Sequence, residues 1–235
     1  MIKKLKQWKN QLKLSLTRTR ICKVCYKEIY YDSFHTFINN NQEICSKCLR
    51  KLSQKFKEFK FEGINALAIY DYRDLIKEKI FIFKGCGDYE LKNIFIEPFK
   101  LELKIRFKNY VIISSPSYEE KNKIRGYNQV IEMFKPLNLE IIDCLFKKED
   151  VSQHLRSYKE RQKISEVIAI KEGISLVNKR VLLVDDIMTT GATLKTCINL
   201  LKSKGVKEIK IMVVAKRNFT QEEKEKLDKN YQVIE

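Results

Sequence analysis

The segment from Val181 to Leu194 combines an apolar run, two acids and a turn rich in threonine and glycine, and its sequence is VLLVDDIMTTGATL. A glycine-containing turn that opens a helix points unpaired N–H groups and the positive end of the helix dipole at one spot, which suits a phosphate monoester. Asp185 and Asp186 would repel that phosphate, so we expect them to accept hydrogen bonds from sugar hydroxyls instead. The segment therefore predicts a site for a phosphorylated pentose. A Walker A loop is excluded because no Gly-Lys-Ser/Thr follows.

Two pairs of cysteines form a second group with chemical meaning. Cys22 and Cys25 make one CxxC turn, Cys45 and Cys48 make another, and nineteen residues separate the turns. This spacing is typical of structural zinc sites, in which four thiolates surround one tetrahedral ion. A segment of about thirty residues with few large aliphatic side chains cannot bury much core, so we expect zinc to stabilise it.

Other interpretations of the cysteines are weaker. His35 lies between the two pairs and could replace one thiolate, although a surface position is the simpler interpretation. A redox CxxC would require a thioredoxin-like strand and helix, for which the sequence gives no sign. The remaining cysteines have no partner spacing, and we expect them to be small buried hydrophobic residues. They are Cys86, Cys144 and Cys197.

Two arginines are candidates for contact with a diphosphate. Arg125 stands beside the flexible Gly126, so its guanidinium could reach two phosphate groups at once. Arg161 falls in the polar interval 147–163, which predicts a long mobile loop that could close over charge developing in a transition state. Each arginine could instead form only a surface ion pair. His154, in the same loop, is expected to be solvated rather than to act as a base.

Short apolar segments alternate with helical patterns from Ile64 onward, and these elements must position the candidate residues. The alternation is typical of an α/β fold with a mostly parallel sheet. We expect strands at Ile64–Tyr72, Tyr110–Ser114, Val181–Val184 and Ile209–Val214, and helices at Asp88–Phe99 and Thr193–Lys204. In the last helix, Leu194, Ile198 and Leu201 would form the apolar stripe and Gly205 would end the helix.

The composition excludes several classes of protein. The chain has 235 residues, of which 44% are hydrophobic and 33% charged, so it is neither collagen-like nor wholly disordered. It contains no run of eighteen apolar residues and no signal-peptide core, so we expect no membrane-spanning segment and no secretion. Seven cysteines, an odd number at unequal spacings, favour a cytoplasmic location over a disulfide-bonded one.

Positive charge is concentrated at the front of the chain. Residues 1–60 carry fifteen basic and four acidic side chains, which is +11 of the total of +17. Residues 1–20 predict a basic amphipathic helix that docks on its own domain or contacts phosphate or a membrane surface. We expect residues 21–60 to form the four-cysteine zinc module and a linker helix at Leu52–Phe61, and residues 61–235 to form the catalytic-sized domain.

Single-stranded DNA is the polyanion that we expect at residues 1–60. Four aromatic side chains there could stack on exposed bases while lysines contact the phosphates. They are Trp8, Tyr26, Tyr30 and Tyr31. The alternative is that the lysines only solubilise the module, since the whole chain is rich in lysine.

The segment Val181–Thr193 closely resembles the thirteen-residue signature with which type I phosphoribosyltransferases bind 5-phosphoribosyl 1-diphosphate (PRPP). Nearly the whole chain resembles the ComF family, which comprises phosphoribosyltransferase homologues with a zinc module that are associated with DNA uptake in naturally competent bacteria. Three further motifs carry this resemblance: Tyr70 to Tyr89 with its Lys84-Gly85, Val111–Pro116 followed by RGYNQ at 125–129, and Gln153 with Arg161. Ser114 stands where the family usually has the first of two prolines, and Gln162 where it usually has Asn.

The resemblance implies a type I phosphoribosyltransferase-like parallel sheet flanked by helices, with a small N-terminal zinc-binding module. It implies that Asp185 and Asp186 bind the ribose 2′- and 3′-hydroxyls and that the following turn cradles the 5′-phosphate. The residues of that turn are Met188, Thr189, Thr190, Gly191, Ala192 and Thr193. Arg125 and Arg161 join the two acids as expected catalytic residues.

The implied reaction is transfer of ribosyl 5-phosphate from PRPP and Mg²⁺ to a nitrogen or similar nucleophile, with release of pyrophosphate. The alternative is a non-catalytic accessory protein of the competence machinery that senses PRPP or nucleotides and binds single-stranded DNA. A competence helicase or other DNA-processing protein would be its protein partner. The sequence contains no aromatic pocket that identifies the acceptor.

Overall fold

A computed structural model of the chain describes residues 20–29, 43–117, 119–147 and 168–218. Predictions for the basic N-terminal helix, for His35 and for the loop that contains His154 and Arg161 lie outside these ranges. The chain divides into two compact units, Met1–Lys51 and Leu52–Glu235. The boundary expected near residue 60 therefore falls inside the second unit.

The described residues of the first unit, 20–29 and 43–51, form little regular structure. Strand β1 (Arg20–Ile21) pairs antiparallel with β2 (Glu28–Ile29), and the two strands flank the first CxxC turn. Helix α1 (Ser46–Leu52) begins beside the second pair of cysteines and ends at the start of the second unit. Few side chains among these described residues are buried, which agrees with the small core expected from the sequence.

The second unit is built around a five-stranded sheet. The sheet strands are β3 (Lys57–Phe61), β4 (Ile64–Asp71), β5 (Val111–Ser114), β8 (Arg180–Met188) and β9 (Glu208–Lys216). Their order in the sheet is β3-β4-β9-β8-β5, in which β3 runs antiparallel to β4 and the remaining neighbours are parallel. The helices are α2 (Asp74–Gly85), α3 (Lys100–Arg106), α4 (Glu119–Arg125), α5 (Gln129–Phe134) and α6 (Ala192–Ser203), and a separate ribbon pairs β6 (Leu145–Lys147) with β7 (Ile168–Ile170).

The predicted strands are confirmed, and two of them are longer than their apolar runs. Strand β8 continues through both acids to Met188 because its backbone stays paired with β9 as far as Lys216. Helix α6 is confirmed as well, with Leu194, Ile198 and Leu201 buried against the sheet.

Three expectations were wrong. The segment Leu52–Phe61 does not form a linker helix, because residues 57–61 pair with β4 as the edge strand β3. The helix expected at Asp88–Phe99 is two short 3-10 segments, Tyr89–Ile94 and Glu97–Phe99, and Pro98 cannot donate the backbone hydrogen bond that a continuous α-helix needs. Cys86 is exposed in the turn after α2, whereas Cys144 and Cys197 are buried as expected.

The β6–β7 ribbon carries the ends of the interval 148–167. Leu145 and Ile168 on the ribbon pack into the same apolar cluster as Leu194 and Cys197 of α6. The ribbon therefore anchors the base of the interval that contains Arg161 against the helix that follows β8. No helix in the described parts of the chain is long and apolar enough to cross a bilayer.

Candidate functional site

Asp185 and Asp186 lie where the parallel sheet opens. Strand β5 pairs with β8 only as far as Val184, while β8 runs on through the acids beside β9. Since successive residues of a strand point to opposite faces, the two carboxylates diverge, and Asp186 is buried while Asp185 is half-buried. Crevices beyond the ends of parallel strands are the usual ligand sites of α/β sheets.

One carboxylate oxygen of Asp185 accepts hydrogen bonds from neighbouring residues. Its Oδ1 accepts hydrogen bonds from the Ser115 hydroxyl at 2.6 Å and from the Asp186 backbone N–H at 2.9 Å. Burial and the nearby charge of Asp186 raise the pKa of Asp185 to about 7, although the Ser115 hydrogen bond and Lys84 act in the opposite direction. The carboxyl is thus balanced between its two protonation states near neutral pH.

Asp186 has a cationic partner. Its Oδ2 lies 2.5 Å from the Nζ of Lys84, and its Oδ1 accepts the N–H of Ile187 at 2.6 Å. Burial lowers the pKa of Lys84, but the charge and hydrogen bond of Asp186 outweigh it, so the net direction is upward. Lys84 therefore stays protonated and compensates part of the charge of the acid pair.

The turn after β8 opens toward solvent above a helix N-terminus. Thr189 and Thr190 are exposed, and the first turn of α6 has no side-chain cap on its N–H groups. The Thr190 hydroxyl is 3.5 Å from the Ala192 N–H, at the outer limit of hydrogen bonding. These donors and the helix dipole suit a phosphate group.

Gly191 is the one position of this turn that no other residue could occupy unchanged. Its φ is +81°, in the left-handed region that favours glycine. An added Cβ would lie 2.4 Å from Cζ of Phe61 and 2.9 Å from Cε of Met188. Phe61, at the end of β3, therefore packs directly against the backbone of the turn.

Arg125 is connected to the acids indirectly. Its Nη1 donates to Oε1 of the buried Gln129 at 3.0 Å, and Nε2 of Gln129 donates to the backbone carbonyls of Phe83 and Lys84 at 3.2 and 3.1 Å. The guanidinium itself is exposed. The structure thus brings Arg125 to the part of α2 that carries Lys84, without direct contact between Arg125 and either acid.

The rest of the RGYNQ motif builds this connection. Gly126 has a φ of +80°, and Asn128 accepts the N–H groups of Val130 and Ile131 to cap helix α5. The ring of Tyr127 packs 4.8 Å from that of Tyr89. The motif therefore turns the chain, starts a helix and places Gln129 under the end of α2.

The remaining predicted site residues differ in their positions. Met188 is buried, and its carbonyl accepts the N–H of Arg217 at 2.9 Å, so its side chain supports the turn from the core. Ser114 is buried, and its hydroxyl has no hydrogen-bond partner in the described ranges. Arg161 lies outside the described residues.

The four cysteines meet as their spacing predicts. The Sγ atoms of Cys22, Cys25, Cys45 and Cys48 all lie within 4.8 Å of one another, and those of Cys25 and Cys45 are 3.9 Å apart. Four sulfurs placed about 2.3 Å from one ion in a tetrahedron are about 3.8 Å apart, so this group could hold a metal ion. It is the one such group of three or more potential ligands in the described part of the chain.

Sequence reasoning gave too little weight to four residues of the site. In the sequence, Lys84 is marked only by the glycine that follows it, and Gln129 only by its place at the end of the RGYNQ motif. Ser115 and Phe61 gave no signal, because each contacts a partner far away in sequence, Asp185 and Gly191 respectively. Contacts of this kind are set by the packing of strands rather than by local pattern.

The chain is similar in sequence to known proteins over most of its length. A family model described as "Phosphoribosyl transferase domain" matches residues 140–235. The "Competence protein ComFC" of Streptococcus pneumoniae (strain ATCC BAA-255 / R6) is 30% identical over 185 residues, which cover 76% of this chain and 83% of that protein. The chain belongs to the ComFC family.

The ComFC protein of Bacillus subtilis (strain 168) is also 30% identical, over 140 residues that cover 59% of this chain and 58% of that protein. Among solved structures, adenine phosphoribosyltransferase from Saccharomyces cerevisiae is 16% identical, covers 73% of this chain and 89% of its own, and has a TM-score of 0.39. The family model and the mostly parallel sheet confirm the expected fold class, a phosphoribosyltransferase-like domain. The cysteine cluster of this ComFC-family chain forms the expected N-terminal module.

Proposed function

We propose that the chain binds PRPP at the end of β8 and transfers its ribosyl 5-phosphate to a nitrogen or similar nucleophile, releasing pyrophosphate, in support of DNA uptake. The observation that carries this proposal is the arrangement of residues at the end of β8 and in the turn that leads to α6. Two acids with different environments stand beside an uncapped helix N-terminus whose turn is shaped by Gly191. This arrangement matches two polar parts of PRPP, namely the sugar hydroxyls and the 5′-phosphate.

In the proposed complex, Asp185 and Asp186 accept the ribose hydroxyls. Residues 188–193 surround the 5′-phosphate with backbone N–H groups and threonine hydroxyls. Arg125 and Arg161 bind the diphosphate. As the bond from C1 to the diphosphate oxygen breaks and the bond from C1 to the nucleophile forms, positive charge develops on the sugar, and the nearby carboxylates stabilise it.

Mg²⁺ would neutralise charge on the diphosphate. In the described part of the chain, no cluster of three or more carboxylates or histidines offers it a cage. Because Mg²⁺ is commonly held by one or two carboxylates together with substrate phosphates, the ion would enter with PRPP and depend mainly on its oxygens.

The reaction is tested by pyrophosphate release. The chain, PRPP and Mg²⁺ are mixed with a panel of nitrogen bases, and we expect release with at least one of them. Asp186→Asn should reduce the rate by about tenfold or more, since it removes a charge-assisted acceptor. Asp143→Asn, an exposed site on another part of the unit, should not. PRPP binding without pyrophosphate release for any acceptor would favour the alternative function, a non-catalytic sensor of PRPP.

Single-stranded DNA is the second proposed ligand, and features of the first unit favour it. Tyr26 is 70% exposed, and Lys27, Lys47 and Lys51 are exposed around the same groove beside the cysteines. An aromatic face among lysines suits base stacking combined with phosphate contact. Zinc is the metal that we propose for the cluster, because a set of four cysteines is typical of structural zinc. A competence helicase is the proposed protein partner of the DNA-bound state.

A further inference from the structure

The ion pair between Lys84 and Asp186 lies in the proposed sugar site, and the inference that follows depends on the proposed PRPP function. Both carboxylate oxygens of Asp186 are engaged, Oδ1 by the Ile187 N–H and Oδ2 by the Lys84 ammonium. The side chain of Asp186 is only 7% exposed. A ribose hydroxyl that approaches Oδ2 of Asp186 therefore meets an ammonium group that is already bound to that oxygen.

Lys84 is placed so that its side chain can move while its backbone stays fixed. About 40% of the side chain is exposed. Its carbonyl and that of Phe83 both accept hydrogen bonds from Gln129, which is itself 5% exposed. The backbone at the end of α2 is therefore anchored, and the four carbon atoms of the side chain provide the freedom.

A second cation, Arg125, indicates where the ammonium group of Lys84 would move. Arg125 donates to the same Gln129 side chain that fixes Lys84. In the proposed complex, Arg125 binds the diphosphate, and Gln129 links the Arg125 side chain to the backbone of Lys84. A diphosphate carries more negative charge than a single carboxylate, so it attracts the ammonium more strongly when the sugar hydroxyls take over Asp186.

We propose that Lys84 is a substrate-binding residue that exchanges partners: it neutralises Asp186 in the ligand-free site and moves to the diphosphate when PRPP binds. The exchange explains how a buried carboxylate can stay compensated without substrate and still accept sugar hydroxyls. A buried acid left with neither a cation nor hydroxyl donors would be costly. The lysine also links recognition of the two ends of PRPP, because sugar binding releases the group that the diphosphate needs.

The exchange predicts different effects on two ligands. Lys84→Met removes the ammonium and keeps most of the side-chain volume. We expect the affinity for Mg²⁺-PRPP to fall about tenfold to a hundredfold, as for loss of a charged hydrogen bond. The affinity for ribose 5-phosphate, which has no diphosphate, should stay equal or increase because a competitor for Asp186 is gone. Isothermal titration calorimetry of both ligands measures the ratio.

The control is Lys77→Met, which removes an exposed lysine from the same helix and should leave both affinities unchanged. If Lys84→Met fails to fold in a thermal melt, Lys84→Gln provides the same test while keeping a hydrogen-bond donor for Asp186. Equal losses for both ligands, or no loss for PRPP, would overturn the role of Lys84 and leave the proposed function standing. No binding of PRPP by the unmodified chain would overturn both.

Discussion

At the residue scale, the adjacent residues Asp185 and Asp186 lie in different environments. Asp186 is neutralised by Lys84, whereas Asp185 has a hydroxyl and a backbone N–H as its close partners and the charge of Asp186 beside it. The alternation of side chains along β8 separates them, since one strand position points to each face. Two identical side chains thus differ in charge compensation because of their place in the sheet.

This difference predicts a pH dependence of stability. The native state keeps a proton on Asp185 up to a pKa of about 7, whereas an unfolded aspartate releases it near 3.8. The free energy of unfolding should therefore fall as pH rises from about 4 to about 7, with each unit of pKa difference worth about 1.4 kcal/mol. Urea titrations across this range measure it. Asp185→Asn should remove this part of the slope, and parallel curves for the two proteins would contradict the assignment.

At the element scale, the turn between β8 and α6 depends on the edge strand β3. The ring of Phe61 fills the space above Gly191, and Glu62 forms an ion pair with Lys195 of α6 at 3.1 Å. The turn between β3 and β4 has positive φ at both Glu62 and Gly63, as tight hairpins require. The hairpin thus supports the turn between β8 and α6 although it lies more than a hundred residues away in sequence.

We expect Gly191→Ala to weaken Mg²⁺-PRPP binding at least about tenfold, because the new Cβ requires both an unfavourable φ and displacement of Phe61. Gly173→Ala is the matched control, since its φ of +77° imposes the same backbone cost with nothing within 4 Å of the added carbon. It should lower stability slightly and leave the affinity unchanged. Equal affinities for the two variants would show that the contact between Phe61 and Gly191 does not shape the turn.

The elements were predictable where a local pattern determines them. Strand β8, helix α6 and the cysteine group follow from an apolar run, a helical stripe and a CxxC spacing. Strand β3 was mistaken for a helix because its lysines and Glu58 obscure the alternation of Phe59 and Phe61. The contacts of Lys84 with Asp186 and of Gln129 with α2 connect distant segments, so no local pattern encodes them. The PRPP contacts themselves stay predictions.

At the scale of the whole molecule, two units carry two kinds of chemistry. The first unit groups four thiols and exposed lysines, and the second contains the acid pair and the turn that precedes α6. Charge follows the same division, since residues 1–51 carry twelve basic and three acidic side chains and so hold +9 of the net +17. The logarithm of the affinity for single-stranded DNA should therefore fall linearly with the logarithm of the salt concentration.

Removal of the metal should separate the two functions. We expect Cys45→Ser/Cys48→Ser to lose bound zinc and most of its affinity for single-stranded DNA, because the first unit has little core to keep its fold without the ion. PRPP binding in the second unit should persist. Metal analysis and fluorescence anisotropy test this, with Cys86→Ser as the control outside the cluster. Stoichiometric zinc in the double variant, or unchanged DNA affinity, would refute this division.

The central claim is that the end of β8 binds PRPP, and calorimetric titration of the full chain with PRPP and Mg²⁺ tests it most directly. We predict saturable binding of one PRPP per chain. Asp185→Asn/Asp186→Asn should abolish it while leaving the melting curve cooperative, because the amides keep the size of the acids and lose about 1.5–3 kcal/mol for each charged hydrogen bond. The absence of binding by the unmodified chain, or the same heats for the double variant, would contradict the account.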